Sequence, residues 1–485
     1  MPEHLTYQKQ LSPLQELNAH AAPLQELNAH AAPLQELNAH AAPLQEINAH
    51  AAPILRLPPE ITSEVFLAYF VDHAWNRATS QPVSELPLLF GRICRTWREV
   101  AWSTPRLWNK LQINLLFMQN SSLVDQWLSR SCTLPLSIRI VCHDHSPDFG
   151  QSVLPILQII TSHAEKWHSI SFTLPGYIYD VLQCVKNRLH NLQRIVIDTQ
   201  HDAEVKAADI FSNAPQLCEA HIGIFRPHRF PLPLSQLKKL SLDAGNAGQC
   251  LDILRHSPHV VICTLSNLKA LGSVRQTHAR QLEILQLSFS YLTTNSISDV
   301  LASLTLPAAR EFACTAFGQQ FPQFPCFSLL SLIHRSSCTL QILRLSCFDI
   351  NDHDLFECLR AIPSLHTLSL INMIITGPMF RTLSLHDSSP ADLACILLPH
   401  LKKFEYLFEI FAAIDVPDIA IISRFLRSRW EVDESSGVTK LHNVNIRTPG
   451  WPDAHVSHQI QCMRNEGMDI KFVVYHNLSQ QQTSM

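Results

Sequence analysis

The stretch Leu340–Leu345 reads LQILRL, and its spacing decides how most of this 485-residue chain is read. Apolar residues stand at its first, fourth and sixth positions. The fourth and sixth share one face of a strand, because successive side chains of an extended chain point to opposite sides. The same triplet recurs at Leu192/Ile195/Ile197, Leu217/Ala220/Ile222, Leu237/Leu240/Leu242, Leu282/Leu285/Leu287, Leu365/Leu368/Leu370 and Leu401/Phe404/Tyr406. Weaker copies at Val260/Cys263/Leu265 and Ala309/Phe312/Cys314 fill the two widest gaps. The centres step by roughly 20 to 36 residues, a period that marks a repeat array.

Helical stretches lie between the triplets. In Asp352 to Ile362, the residues Leu355, Leu359 and Ile362 fall on one helical face. One strand and one helix per unit, stacked, predict a curved solenoid in which each unit covers its neighbour. The pattern resembles a divergent leucine-rich repeat. Where regular members carry an asparagine after the strand, this chain has Gln200, Phe225, Gly245, Ser290, Phe348 and Met373, so no regular asparagine ladder is expected. Upstream, Leu111 to Leu115 and Leu136 to Ile140 alternate as strands around a helix from Ser122 to Arg130. Downstream, Ile422 to Trp430, Val438 to Ile446 and Ile470 to Val474 are read as an atypical cap closing the array.

N-terminal to the array, Ile54 to Leu111 concentrates helix signals. Pro58 and Pro59 stand where a helix begins, because proline's fixed φ suits the first turn and its missing N–H would have had no partner there. Glu60 follows in the first turn, and Ile61, Val65 and Tyr69 form one apolar stripe of a helix from about Pro59 to Phe70. Leu89, Ile93, Trp97 and Ala101 at i+4 steps predict a second helix. Thr104 as N-cap with Pro105 at the first helical position predicts a short third one, Arg106 to Lys110. Three helices in under about 60 residues bury little by themselves, so this module completes its core against the rest of the chain or a partner.

Leu57-Pro58-Pro59-Glu60-Ile61, then Ile93-Cys94-Arg95-Thr96-Trp97-Arg98-Glu99 and Thr104-Pro105-Arg106-Leu107-Trp108, resemble the F-box, especially the F-box-like proteins of mushroom-forming fungi. That resemblance implies a substrate-recruiting adaptor of an SCF-type cullin–RING ubiquitin ligase. The box would dock on the linker subunit and through it a cullin, while the repeats hold a protein target. By position, Leu57, Pro58, Ile61, Val65, Cys94, Trp97, Leu107 and Trp108 match the motif and would form the linker-binding site. The chain departs from the compact pattern at Val71 to Leu86, read as an inserted loop. The alternative is a protein-binding leucine-rich-repeat scaffold whose helical cap no longer binds the ligase.

The expected fold class is thus α/β (α+β): a three-helix F-box followed by an irregular leucine-rich-repeat-like solenoid. Its segments are residues 1–53, 54–112, 113–478 with a C-terminal cap, and a tail at 479–485. The first segment repeats PLQELNAHAA four times from Pro13 to Ala52. Pro23, Pro33 and Pro43 break any continuous helix, and the ten-residue period does not bring His20, His30, His40 and His50 to one face. This predicts a spacer or a string of short helices.

Composition narrows the function classes. A net charge of −4 with 16% charged residues offers no basic field for a phosphate backbone, so no nucleic-acid partner is expected. Phosphate-cradling glycine loops are absent, as are HExxH and GxSxG. Fourteen cysteines without a CxxC pair read as small buried thiols of a reducing compartment. The opening MPEHLTYQKQ is unlike a signal peptide, and no run of 18 apolar residues occurs, so a cytoplasmic or nuclear protein without membrane contact is expected. Cys142-His143-Asp144-His145 is the densest ligand-like cluster, but neighbours in an extended segment diverge and no second cluster follows. No metal, cofactor or catalytic residue is expected, and the chain reads as a non-enzyme.

Overall fold

The computed structural model describes residues 53–74, 86–117, 120–142, 147–198, 209–223, 231–243, 246–268, 275–290, 294–318, 321–385, 396–408, 418–432, 437–448 and 452–474. The ten-residue repeats and the His143 to His145 part of the ligand-like cluster lie outside them.

The triplets become a mixed α/β architecture with one long parallel sheet. Its strands are β1 (Lys110–Asn114), β2 (Leu136–Val141), β3 (Trp167–Thr173), β4 (Arg194–Asp198), β5 (Glu219–Ile222), β6 (Lys239–Asp243) and β7 (Ile262–Leu268). They continue as β8 (Ile284–Ser290), β9 (Glu311–Phe317), β10 (Ile342–Ser346), β11 (Thr367–Ile371), β12 (Lys403–Leu407), β13 (Asn443–Thr448) and β14 (Asp469–Val474). Each strand pairs only with its neighbours in chain order.

All nine triplets are buried, and the second and third residues of each are the inward pair of their strand. Register stacks the centres in one row, so that Leu285, Phe312, Leu343, Leu368 and Phe404 lie side by side across β8 to β12. The turn before each strand is locked in the same repeating way. The Arg310 carbonyl accepts from both Gln341 N–H and Ile342 N–H, at 2.8 and 2.9 Å, and the Gln341 carbonyl does the same for His366 and Thr367. Backbone polarity is thereby satisfied by the neighbouring unit, which makes the array cohere.

Outside the sheet, α4 (Ser121–Arg130), α5 (Pro147–Ser162), α6 (Ala247–Arg255), α7 (Thr294–Ser303), α8 (Cys326–Ser336), α9 (Asp352–Arg360), α10 (Gly377–Leu383), α11 (Ile419–Trp430) and α12 (Ala454–Asn465) supply the other wall of the core. Short polar residues start several of them. Asn120, Asn246, Asn351, Asp418 and Asp453 each accept a first-turn N–H. Arginines from the following unit close helix ends: Arg188 donates to the Thr161 and Ser162 carbonyls, and Arg335 to those of Leu301 and Leu304. Arg429, fully buried, donates to the carbonyls of Leu383, Leu397 and Leu398. Desolvation pushes its guanidinium down to about 10, still charged at neutral pH.

Two expectations change here. Val444/Ile446 and Ile470/Phe472 do not form a separate cap, because β13 and β14 continue the sheet in register. The expected boundary between residues 112 and 113 falls inside β1. The turn side carries isolated asparagines rather than a ladder: Asn267 and Asn372 take left-handed backbone, with φ of 50° each. Phe348 and Met373 are buried in the core instead.

Candidate protein-docking face

Ahead of the sheet stand α1 (Pro59–Ala74), α2 (Leu86–Ile93) and α3 (Arg95–Trp102), followed by one 3-10 turn, Pro105–Leu107. The Pro58 carbonyl opens α1 by accepting from Thr62 N–H at 3.0 Å and Thr62 Oγ1 at 3.1 Å. The helix runs to Ala74, so the first residues expected in an inserted loop are helical, and residues 75–85 lie outside the described set.

The i+4 series Leu89, Ile93, Trp97, Ala101 does not form one helix. Cys94 breaks it: its extended backbone ends α2, and its Sγ accepts from Trp97 N–H at 3.4 Å to start α3. Arg98 ties the two together by donating from Nε to the Gly91 carbonyl at 2.7 Å. Thr104 is not a side-chain cap either. Its Oγ1 donates back to the Val100 carbonyl at 2.7 Å, and Lys110 is already in β1, so the third helix shortens to a single turn.

The module has a small aromatic centre. Phe66 and Phe90 stack at 4.1 Å, with Trp97 edge-on to Phe66 at 5.0 Å. A second seam joins the module to the sheet. Trp108 is fully buried, donates from Nε1 to the Ala101 carbonyl at 2.8 Å, and meets Trp127 of α4 edge-on at 4.7 Å. Arg130 of α4 lies over the rings of both Trp102 and Trp108, at 4.9 and 4.7 Å. Burial lowers its pKa.

These two seams separate the eight predicted site residues. Leu107 and Trp108 belong to the joint with the sheet and are not available to a docking partner, which corrects their assignment. Cys94 and Trp97 are half-buried and organise the module internally. Leu57, Pro58, Ile61 and Val65 are exposed and lie together at the start of α1. The structure adds Ile54, Leu55, Tyr69, Leu89 and Ile93 to the exposed apolar set. Ile61 is 50% and Ile93 55% exposed, high for isoleucines in helices that already hold an aromatic core. Tyr69 was legible in the predicted stripe. Leu89 and Ile93 fell within the predicted single helix because the break at Cys94 is a side-chain cap, invisible to periodicity.

Elsewhere the chemistry is sparse. Among the described residues no group of three His, Cys, Asp or Glu side chains is arranged to hold a metal ion, and every described cysteine is a free thiol. Burial pushes the Cys250 thiol up to about 12 and those of Cys263 and Cys314 higher still, so these sulfurs are packing groups. Cys132 and Cys184 depart from the expectation of buried thiols and are exposed. No described helix is long and apolar enough to cross a membrane.

No protein-family profile and no curated protein matches this chain. Among solved structures, the crystal structure of a TLR13–ssRNA13 complex aligns at a TM-score of 0.23 and 11% identity, covering 75% of this chain and 55% of that one. The chain thus spans about half the length of that structure's chain.

Proposed function

We propose that the chain is a substrate-recruiting adaptor of an SCF-type cullin–RING ubiquitin ligase. In this reading α1 to α3 act as an F-box docking on the linker subunit, and the strand–helix array is a divergent leucine-rich repeat holding a target protein. The observation that carries it is the set of exposed apolar side chains Leu57, Ile61 and Val65 at α1 and Leu89 and Ile93 on α2. Apart from Leu57, just ahead of α1, these are large side chains on regular helices, and the described residues leave them wet although the module's core is already filled. Covering each on docking contributes about 1 kcal/mol, part of what a complex needs beyond the cost of association. Three of the eight residues matched by the F-box resemblance, Leu57, Ile61 and Val65, belong to this set, which supports the same reading. The adaptor does no bond chemistry: it raises the local concentration of target next to the transferring subunit.

Co-purification with linker subunit and cullin tests this. Leu57→Ala with Ile61→Ala is the informative variant, because both side chains are exposed; Trp97→Ala removes part of the aromatic centre and confuses unfolding with lost docking. The double variant, still folded by circular dichroism, is expected to lose both partners. Retained capture rejects the face.

A further inference from the structure

The solvent side of the sheet carries a charge pattern that the docking face does not use. On β4, Arg194 begins the outward row and Asp198 ends it. On β6, Lys239 begins it and Asp243 ends it, with the two strands aligned through β5. Residues i and i+4 of a strand are about 13 Å apart, so two strands present a cationic end and an anionic end at the same separation. Between them β5 places Glu219, His221 and, just past its end, Gly223.

The two ends are not self-neutralised. Glu219 lies between the two cations, 2.7 Å from Lys239 Nζ and 3.9 Å from Arg194 Nε, so one carboxylate serves two positive groups. At the other end neither Asp198 nor Asp243 has a cationic partner among the described residues; Asp243 accepts only a neutral donor, Asn267 Nδ2, at 2.5 Å. A Cβ on Gly223 would lie 2.9 Å from Asp198 Oδ1, so glycine leaves that carboxylate its position. Midway, His221 Nδ1 and Ser241 Oγ are hydrogen-bonded at 2.7 Å, and desolvation lowers the His221 pKa. A concavity of about 210 Å³ opens over Arg194, Glu219, His221, Lys239, Ser241 and Thr264.

From this pattern we infer a peptide-binding site on β4 to β6. It takes an extended segment of a partner protein that lays an acidic side chain over Arg194 and Lys239, a small polar one over the His221–Ser241 pair, and a basic one over Asp198 and Asp243. In an extended segment, residues i, i+2 and i+4 face one way and span the same 13 Å or so as the charged ends. The acid and base must therefore be four positions apart. Opposite order along the segment is equivalent, since the segment can lie either way along the strands. This names the target's chemistry within the adaptor reading and rests on it.

Panning a random nonapeptide library on the full chain, with sequencing of the survivors, tests the site. Enrichment of peptides with an acid and a base four positions apart is expected. A labelled survivor should bind about tenfold more weakly when its base is replaced by glutamine, the scale of two partly screened ion pairs. That difference should vanish on Asp198→Asn/Asp243→Asn, and the difference from neutralising its acid should vanish on Arg194→Gln/Lys239→Gln. No enrichment of that spacing, or equal binding of the charged and neutralised peptides to the unaltered chain, overturns the site. Linker capture by the same preparation separates the two readings: capture without the peptide motif removes this site alone, and the motif without capture keeps the site and removes the ligase role.

Discussion

The array and the helical module are built from the same kinds of side chain and dispose of them differently. In the array, Leu343 and Leu345 disappear under neighbouring units on both sides and a helix above. In the module, Ile61 and Ile93 sit on equally regular backbone and remain half in water. The array is an arrangement in which each unit is its neighbour's cover. Among the described residues the module meets the array at the seam of Trp108 and Arg130, and Ile61 and Ile93 lie outside that seam. Exposed apolar side chains thus gather on the helices at this end of the array.

The comparison breaks most directly if matched substitutions in the two regions have equal effects. Leu343→Ala should cost about 2–5 kcal/mol of stability in denaturant unfolding, through lost burial and the cavity left behind. Ile61→Ala should cost under about 0.5 kcal/mol in the same assay while weakening linker capture by roughly fivefold, the scale of about 1 kcal/mol. Arg429→Ala should rival the larger of these, about 3–5 kcal/mol, because three carbonyls lose a buried charged donor. Trp108→Phe should cost about 1–3 kcal/mol by removing the bond to the Ala101 carbonyl and part of the ring contact with Trp127. Limited proteolysis should then cut between module and sheet before it cuts within either. Smallest is Glu64→Gln: its ion pair with Arg106 at 2.9 Å is well exposed on both sides, so less than about 0.5 kcal/mol is expected. A larger loss there would mean that charge, not packing, holds the module together.

The array was legible because its signal is local and repeated. Leu365/Leu368/Leu370 needs only a spacing rule to become β11. The strand at Trp167/Ile170/Phe172 has the same spacing, and a search confined to aliphatic openings passes over its tryptophan. Likewise Leu441/Val444/Ile446 keeps the spacing, yet was read as a cap because terminal units are expected to be atypical. The candidate face was half legible. The helical stripe at Ile61, Val65 and Tyr69 stood out, but nothing in a stripe tells whether it points at core or at water, and α1 is apolar on both sides, with Phe66 and Leu67 inward.

By itself the amino-acid order determined that alternating apolar pairs recur along the chain and that a proline-led helical module precedes them, since strand alternation and helix initiation act over a few residues. Which apolar side chains stay wet was decided only in three dimensions. Leu107 and Trp108 match the docking motif as well as Ile61 does, yet they are sealed against α4 and the first strand, because burial depends on what the rest of the chain brings alongside.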